Sequence, residues 1–240
     1  MKNLKKNFNQ IKHIGVVGCS SEGAALCYKT ICTESGKYLG EHAHPEISMH
    51  THSLARYVEY LDSNDLQRVG DLMLSSADKL KSQGACFLIC PDNTIHQAFD
   101  YVIERSPLPW LHIADSVIAE ATIKGYRKLG LLGTRWLVES DVYPSKLEAA
   151  NIGYLRPPKK AVERIGQLIM GELVTGVFRQ ETVQYFQDTI NNLKQDGCDA
   201  VVLGCTEIPL IIDDSNSGLP TLNSNHLLAE AAIKEAIVAS

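Results

Sequence analysis

Short apolar runs, each closing on a small residue, alternate along this chain with longer stretches whose apolar residues recur at helical spacing. The clearest runs are Ile14-Gly-Val-Val-Gly18 and Leu129-Gly-Leu-Leu-Gly133, each leading through a glycine turn into an amphipathic segment. Continuous apolar runs of this length read as strands buried on both faces, as in parallel sheets covered by helices. Phe87-Leu-Ile-Cys90 and Val201-Val-Leu-Gly204 read the same way, and Ile47 to Met49 is a further candidate strand. Helical patterns fit residues 69–83, 97–105, 116–125, 162–176, 181–196 and 226–239.

The chain also matches itself. Residues 80–94 line up without gaps on 193–207, Leu108-Pro109 returns as Leu219-Pro220, and Ile118-Ala-Glu-Ala returns as Leu228-Ala-Glu-Ala. This shared order predicts an internal duplication. The expected fold is α/β: two similar domains with parallel central sheets, related by a pseudo-twofold axis, with the active site in the cleft between them. Parallel sheets present ligands at the carboxyl ends of their strands, and the repeat puts Asp92 and Cys205 in equivalent loops there. If those ends face each other, the two side chains meet across one cleft.

Composition narrows the classes. The chain has 240 residues, 23 basic against 28 acidic side chains, 45% hydrophobic and 21% charged residues, which fits a soluble globular protein large enough for a substantial core. A pI near 5.9 argues against a nucleic-acid partner, since Lys2, Lys5 and Lys6 form the only basic cluster. The first fifteen residues have no apolar signal core, and no run approaches the roughly 18 apolar residues of a membrane helix, so a cytoplasmic protein without a membrane partner is expected. Seven cysteines without a CxxC pair indicate neither a disulfide framework nor a zinc knuckle, and most are expected to be buried thiols.

Two loops carry candidate chemistry. Pro91 stops one strand, and Asp92-Asn93-Thr94 then caps a helix whose first N–H groups suit a carboxylate ligand, although Asp92 also reads as a simple cap. Cys205 follows Val201-Val-Leu-Gly204 where a strand meets a polar turn, a setting expected to lower a thiol pKa. Ser20 and Ser21, at the turn after the first strand, are candidate carboxylate contacts. Thr51 or His52 would reach the substrate from the loop after the Ile47 strand. Arg135 and Lys146 are candidates for a substrate side-chain carboxylate, though either also reads as a solvated surface charge. His42/His44 and His50/His52 form two H-x-H pairs, but no Cys or carboxylate pattern completes a metal site, and none is expected. The Gly15 to Gly23 region lacks G-x-G-x-x-G, so a dinucleotide is not expected.

Taken together, Gly204-Cys-Thr-Glu-Ile-Pro-Leu210, Asp92-Asn-Thr-Ile-His96 and Ile14-Gly-Val-Val-Gly18 resemble the aspartate/glutamate racemase family over nearly the whole chain. The GCTE of residues 204–207 is similar to aspartate-type members. Gly130-Leu-Leu-Gly-Thr-Arg135, with Asp141 and Tyr143 after it, is similar to broad-specificity amino-acid racemases. The resemblance implies a cofactor-independent racemase, with Asp92 and Cys205 as the acid/base pair and Asn93, Thr94, Thr134 and Thr206 around the substrate. It also implies a first domain of residues 1–113 joined by a returning helix at 226–240, a second domain of 114–225, and a homodimer. One departure is large: the family's first segment usually reads CNT, and here it reads Asp92-Asn93-Thr94, with Cys90 two residues upstream and read as structural.

That departure sets a chemical problem. Racemisation removes a weakly acidic α-proton from one face of a carbon and delivers a proton to the other, which works best with groups of matched pKa. Reference values of about 3.9 for Asp and about 8.5 for Cys leave a mismatch of roughly 6 kcal/mol unless burial raises Asp92 or Cys205 is lowered. The reading is racemisation of aspartate and/or glutamate. The alternatives are isomerisation or decarboxylation of a small dicarboxylic acid on the same fold, or non-catalytic capture of an amino acid.

Overall fold

The structure, a computed structural model, describes residues 11–238. The Lys2, Lys5 and Lys6 cluster and the last two residues of the predicted final helix lie outside them. Strands β1 (Ile14–Gly18), β2 (Ile47–Thr51), β3 (Phe87–Ile89) and β4 (Trp110–Leu111) form one parallel sheet in the order β2-β1-β3-β4. Strands β5 (Lys128–Leu132), β6 (Gly153–Leu155), β7 (Ala200–Leu203) and β8 (Thr221–Asn223) form a second in the order β6-β5-β7-β8. The second order is the first displaced by one repeat, so the duplication in sequence is a duplication of topology.

Alternating side chains bury both faces of each sheet. On the first, Ile14, Val16, Phe87 and Ile89 face the helices Ser21–Glu34 and Ser224–Ile237, while Val17 and Leu88 join Tyr57, Met73 and Leu80 from Leu54–Asp62 and Leu66–Ser82. On the second, Leu132, Val201 and Leu203 face Ile165, Phe186 and Ile190, whereas Leu129, Leu131 and Val202 face Val117 and Leu147. Helices cover all four faces, which is why the strands read as unbroken apolar runs.

Register aligns the functional loops. Val16 lies opposite Ile89 and Leu131 opposite Val202, so the loops after β1 and β3 leave the first sheet side by side, as do those after β5 and β7 in the second. Two predicted helices are broken here. The 97–105 pattern is a 3-10 turn, Thr94–Ala98, running into Phe99–Ile103, which keeps the loop after β3 tight. The 162–176 pattern is the helix Lys159–Gly171 followed by a 3-10 turn, Leu173–Thr175, because Glu172 leaves the helical region and Gly176 takes a left-handed φ of 74°. Among the described residues, no helix is long and apolar enough to cross a membrane.

The last helix closes the first half. Leu228, Ala229, Ala232, Ile233 and Ala236 pack on Ile14, Val16, Phe87 and Ile89, and the Lys12 N–H donates to the Ala236 carbonyl at 2.9 Å. Ile233 is fully buried in that contact. Ile233→Ala is expected to lower unfolding free energy by about 2–5 kcal/mol, read as a shift of the urea midpoint. A change below about 1 kcal/mol would show that the helix is not part of this core.

Candidate active site

The four loops converge on one cavity. Cys19 and Ser20 follow β1, Asp92 to Ile95 follow β3, Thr134 and Trp136 follow β5, and Gly204 to Glu207 follow β7; all of them line it. One wall is apolar, made by Leu54, Val58 and Leu61 from the first half and by Trp136, Ile169, Met170 and Val174 from the second. Asp92 and Cys205, from equivalent loops of the repeat, therefore border the same space.

Two thiol–carboxylate pairs stand there, one from each half. On the first side, the Asp92 carboxylate accepts the Ile95 N–H at 3.1 Å, with the Thr94 N–H and the Cys19 thiol as neighbouring donors. Asp92 is thus both a cap and a cavity residue. Burial pushes its carboxyl above the usual range, the three donors pull it back, and the charge of Glu207 raises it further. On the second side, Cys205 Sγ donates to Glu207 Oε2 at 3.0 Å and Thr206 Oγ1 donates to the same oxygen at 2.9 Å. Burial, and then the Glu207 carboxylate, push the Cys205 thiol well above its ordinary value. The sequence expectation of a lowered Cys205 pKa is corrected on this point: a buried acceptor anion outweighs the polarity of the turn. Among the described residues, no Lys or Arg lines the cavity.

Buried hydrogen bonds between the halves fix this geometry. Asn93 accepts from Tyr143 Oη at 2.6 Å and donates to Ser224 Oγ at 2.9 Å, so much of its polarity serves the junction. Thr94 Oγ1 and Thr134 Oγ1 pair at 2.9 Å, and Asn225 Nδ2 reaches the Gly23 carbonyl at 2.9 Å. A Cβ on Gly23 would lie 2.7 Å from the Pro91 carbonyl oxygen and 2.9 Å from Thr206 Cγ2, so only glycine lets these loops approach. Ser20 caps Ser21–Glu34 by accepting the Gly23 N–H at 3.1 Å.

Other sequence candidates lie elsewhere. Thr51 and Arg135 are exposed and outside the cavity lining, Thr51 because β2 is an edge strand. Arg135 lines a neighbouring groove that shares Thr134, Trp136 and Met170 with the cavity. Lys146 is bound to Asp115 at 2.7 Å. His50 bonds Ser76 Oγ and His52 bonds Ser75 Oγ, tying β2 to the helix Leu66–Ser82. Cys90 is fully buried in the first core. Cys19 and Glu207 are the ionisable cavity residues that sequence reasoning did not select. The signal for Cys19 was its place directly after Ile14-Gly-Val-Val-Gly18, where a strand delivers its next residue to the ligand end.

Comparison with known proteins agrees with this architecture. The Asp/Glu/hydantoin racemase family model matches residues 14–232. A broad-specificity amino-acid racemase of Bacillus subtilis is 21% identical over 176 residues, 72% of this chain and 73% of that one. A glutamate racemase of a Hydrogenobaculum species is 25% identical over 151 residues, 62% of this chain and 56% of that one. Among solved structures, an Asp/Glu racemase candidate from Yersinia pestis superposes with a TM-score of 0.87 at 27% identity, covering 95% of this chain and 100% of that one. An aspartate racemase homologue from Pyrococcus horikoshii gives 0.81 at 24% identity, covering 94% and 99%.

His96 supports the Asp92 loop from behind. Its Nε2 accepts the Ile113 N–H at 3.4 Å, so Nδ1 carries the proton and donates to the Asp92 carbonyl at 2.6 Å. Burial lowers its pKa to about 4 from 6.5. The unfolded chain therefore takes up a proton first as pH falls, and the stability from neutral His96 is complete above 6.5 and is lost between there and about 4. Between pH 7 and 5 this amounts to about 2 kcal/mol. The raised Asp92 carboxyl acts in the opposite sense, so the informative comparison is with a variant: urea unfolding of His96→Gln should show a smaller loss over this interval than the parent. An equal loss would mean His96 is not held neutral by the fold.

Proposed function

Because the chain belongs to the Asp/Glu/hydantoin racemase family, we propose that it interconverts the enantiomers of an amino acid by proton transfer at Cα, with Asp92 and Cys205 as the opposed acid/base groups. The observation that carries this reading is the meeting of these two residues, from equivalent loops of a duplicated fold, at a single cavity. A raised Asp92 carboxyl is the change the chemistry requires, since it moves that group toward a thiol in proton affinity. Backbone N–H groups of the loops after β3 and β7, with Ser20, Thr94 and Thr206, supply the donors that bind an α-carboxylate and disperse charge on the enolate-like carbanion. None of these steps calls on a cofactor.

For the substrate side chain, aspartate and glutamate are supported by the descriptions of the relatives. On this reading Arg135, at the adjoining groove, receives the second carboxylate through its guanidinium fork. A second reading, a neutral apolar amino acid, is favoured by the wall of Leu54, Val58, Leu61, Trp136, Ile169, Met170 and Val174, and by the two carboxylates already present. Incubating L- and D-forms of aspartate, glutamate, leucine and methionine in deuterium oxide and following the Cα proton by NMR separates the two. Exchange with inversion of the acidic pair, and a tenfold or greater rise in KM on Arg135→Gln, support the first; inversion of the apolar pair supports the second. Asp92→Ala and Cys205→Ser are each expected to lower inversion at least 100-fold. Amino-acid binding without exchange, or a product of lower mass, would refute racemisation.

A further inference from the structure

The Asp92 side of the cavity contains a thiol as well as a carboxylate. Cys19 leaves the end of β1 beside the end of β3, lines the cavity at 5% exposure, and is a near electrostatic neighbour of the Asp92 carboxylate. That carboxylate also accepts the Ile95 N–H at 3.1 Å, which holds it in place beside the sulfur. In its ionised form it bears no proton to deliver. The proton at this face then sits on Cys19 Sγ. In the second half the arrangement repeats: Cys205, at 9% exposure, donates an S–H hydrogen bond to Glu207, which Thr206 also holds. Each half thus presents one thiol backed by one fixed carboxylate.

We propose that Cys19 is a catalytic residue: its sulfur, and not the Asp92 carboxylate, exchanges the proton with Cα on the first face, and Asp92 acts behind it as the proton acceptor. The proposal rests on the racemase reading and refines it. In one direction the Cα–H bond breaks, its electron pair remains on the substrate as the carbanion, and the proton bonds to Cys19 Sγ as the thiol's own proton passes to Asp92. On the other face the Cys205 S–H bond breaks, its proton bonds to Cα, and Cys205 is refilled from Glu207. The site begins with one carboxyl proton on Glu207 and ends with one on Asp92, so protons and charge balance, and the reverse reaction starts from the mirror state. Thiol now faces thiol and carboxylate backs carboxylate, which removes the mismatch between an aspartate and a cysteine. Both thiols are neutral before and after each turnover, in keeping with their burial.

The test follows each enantiomer separately in deuterium oxide, using whichever amino acid the parent enzyme inverts. Cys19→Ser and Cys205→Ser should each lose inversion at least 100-fold, and each should retain Cα deuteration without inversion for one enantiomer only, the two variants retaining opposite enantiomers. A structural role for Cys19 would not produce that reversal. Inversion by Cys19→Ser within tenfold of the parent would overturn the proposal while leaving the racemase reading intact, whereas a parent protein inactive on every amino acid would end that reading. A second measurement needs no turnover: alkylation of each cysteine by iodoacetamide at pH 8, resolved by peptide mass spectrometry. Asp92, Cys90, Glu207 and Tyr57 are the ionisable groups around Cys19, and Asp92 contributes most after burial. Asp92→Asn should accelerate alkylation of Cys19 at least tenfold with little effect on Cys205, and Glu207→Gln should do the reverse. An unchanged Cys19 rate in Asp92→Asn would refute the pair.

Discussion

Two carboxylates and two thiols, Asp92 half-buried and Glu207, Cys19 and Cys205 buried, share one cavity that no Lys or Arg lines among the described residues, and the rest of the site follows from that constraint. Without a cation to compensate them, charged forms here lose solvation and repel each other, so Asp92 and the two thiols hold their protons tightly. What keeps the arrangement folded is local: Asp92 is capped by backbone N–H groups, and Glu207 accepts from its two preceding neighbours. An environment that makes protons expensive to remove in the resting protein also keeps water from competing once a substrate carbanion forms.

The duplicated fold supplies the opposition that proton transfer to two faces requires. Identical strand orders carry the loops after β3 and β7 to the same cavity from two sides, and the adjacent β1 and β5 deliver Cys19 and Thr134 beside them. The hydrogen bonds of Asn93 with Tyr143 and Ser224, and of Thr94 with Thr134, make the separation of the halves a fixed quantity. Asn93 and Thr94 are therefore as much part of the junction as of the lining.

Much of this was legible in the chain. Apolar runs closed by Gly, or by Cys90 in one case, located β1, β3, β5 and β7, and the gapless match of 80–94 on 193–207 placed Asp92 and Cys205 in equivalent loops. The three-residue β6 was not legible, because a strand that short has no periodicity to read. Nor was the pairing within the site. Glu207 lies two residues from Cys205, but only the turn geometry brings its carboxylate to the sulfur. Cys19 meets Asp92 through the neighbouring positions of β1 and β3, a long-range contact that spacing along the sequence does not encode. Arg135 and Thr51 stood at suitable strand ends, yet lie outside the cavity lining, Thr51 on an edge strand and Arg135 at the start of a short helix beside the adjoining groove.

The most direct measurement is a crystal structure with an α-methyl amino acid bound, which fills the site but has no α-proton to exchange. The account places Cα in the cavity with Cys205 Sγ on one face and the Cys19–Asp92 pair on the other. A ligand with both thiols on the same side of Cα, or one seated outside this cavity, would contradict it.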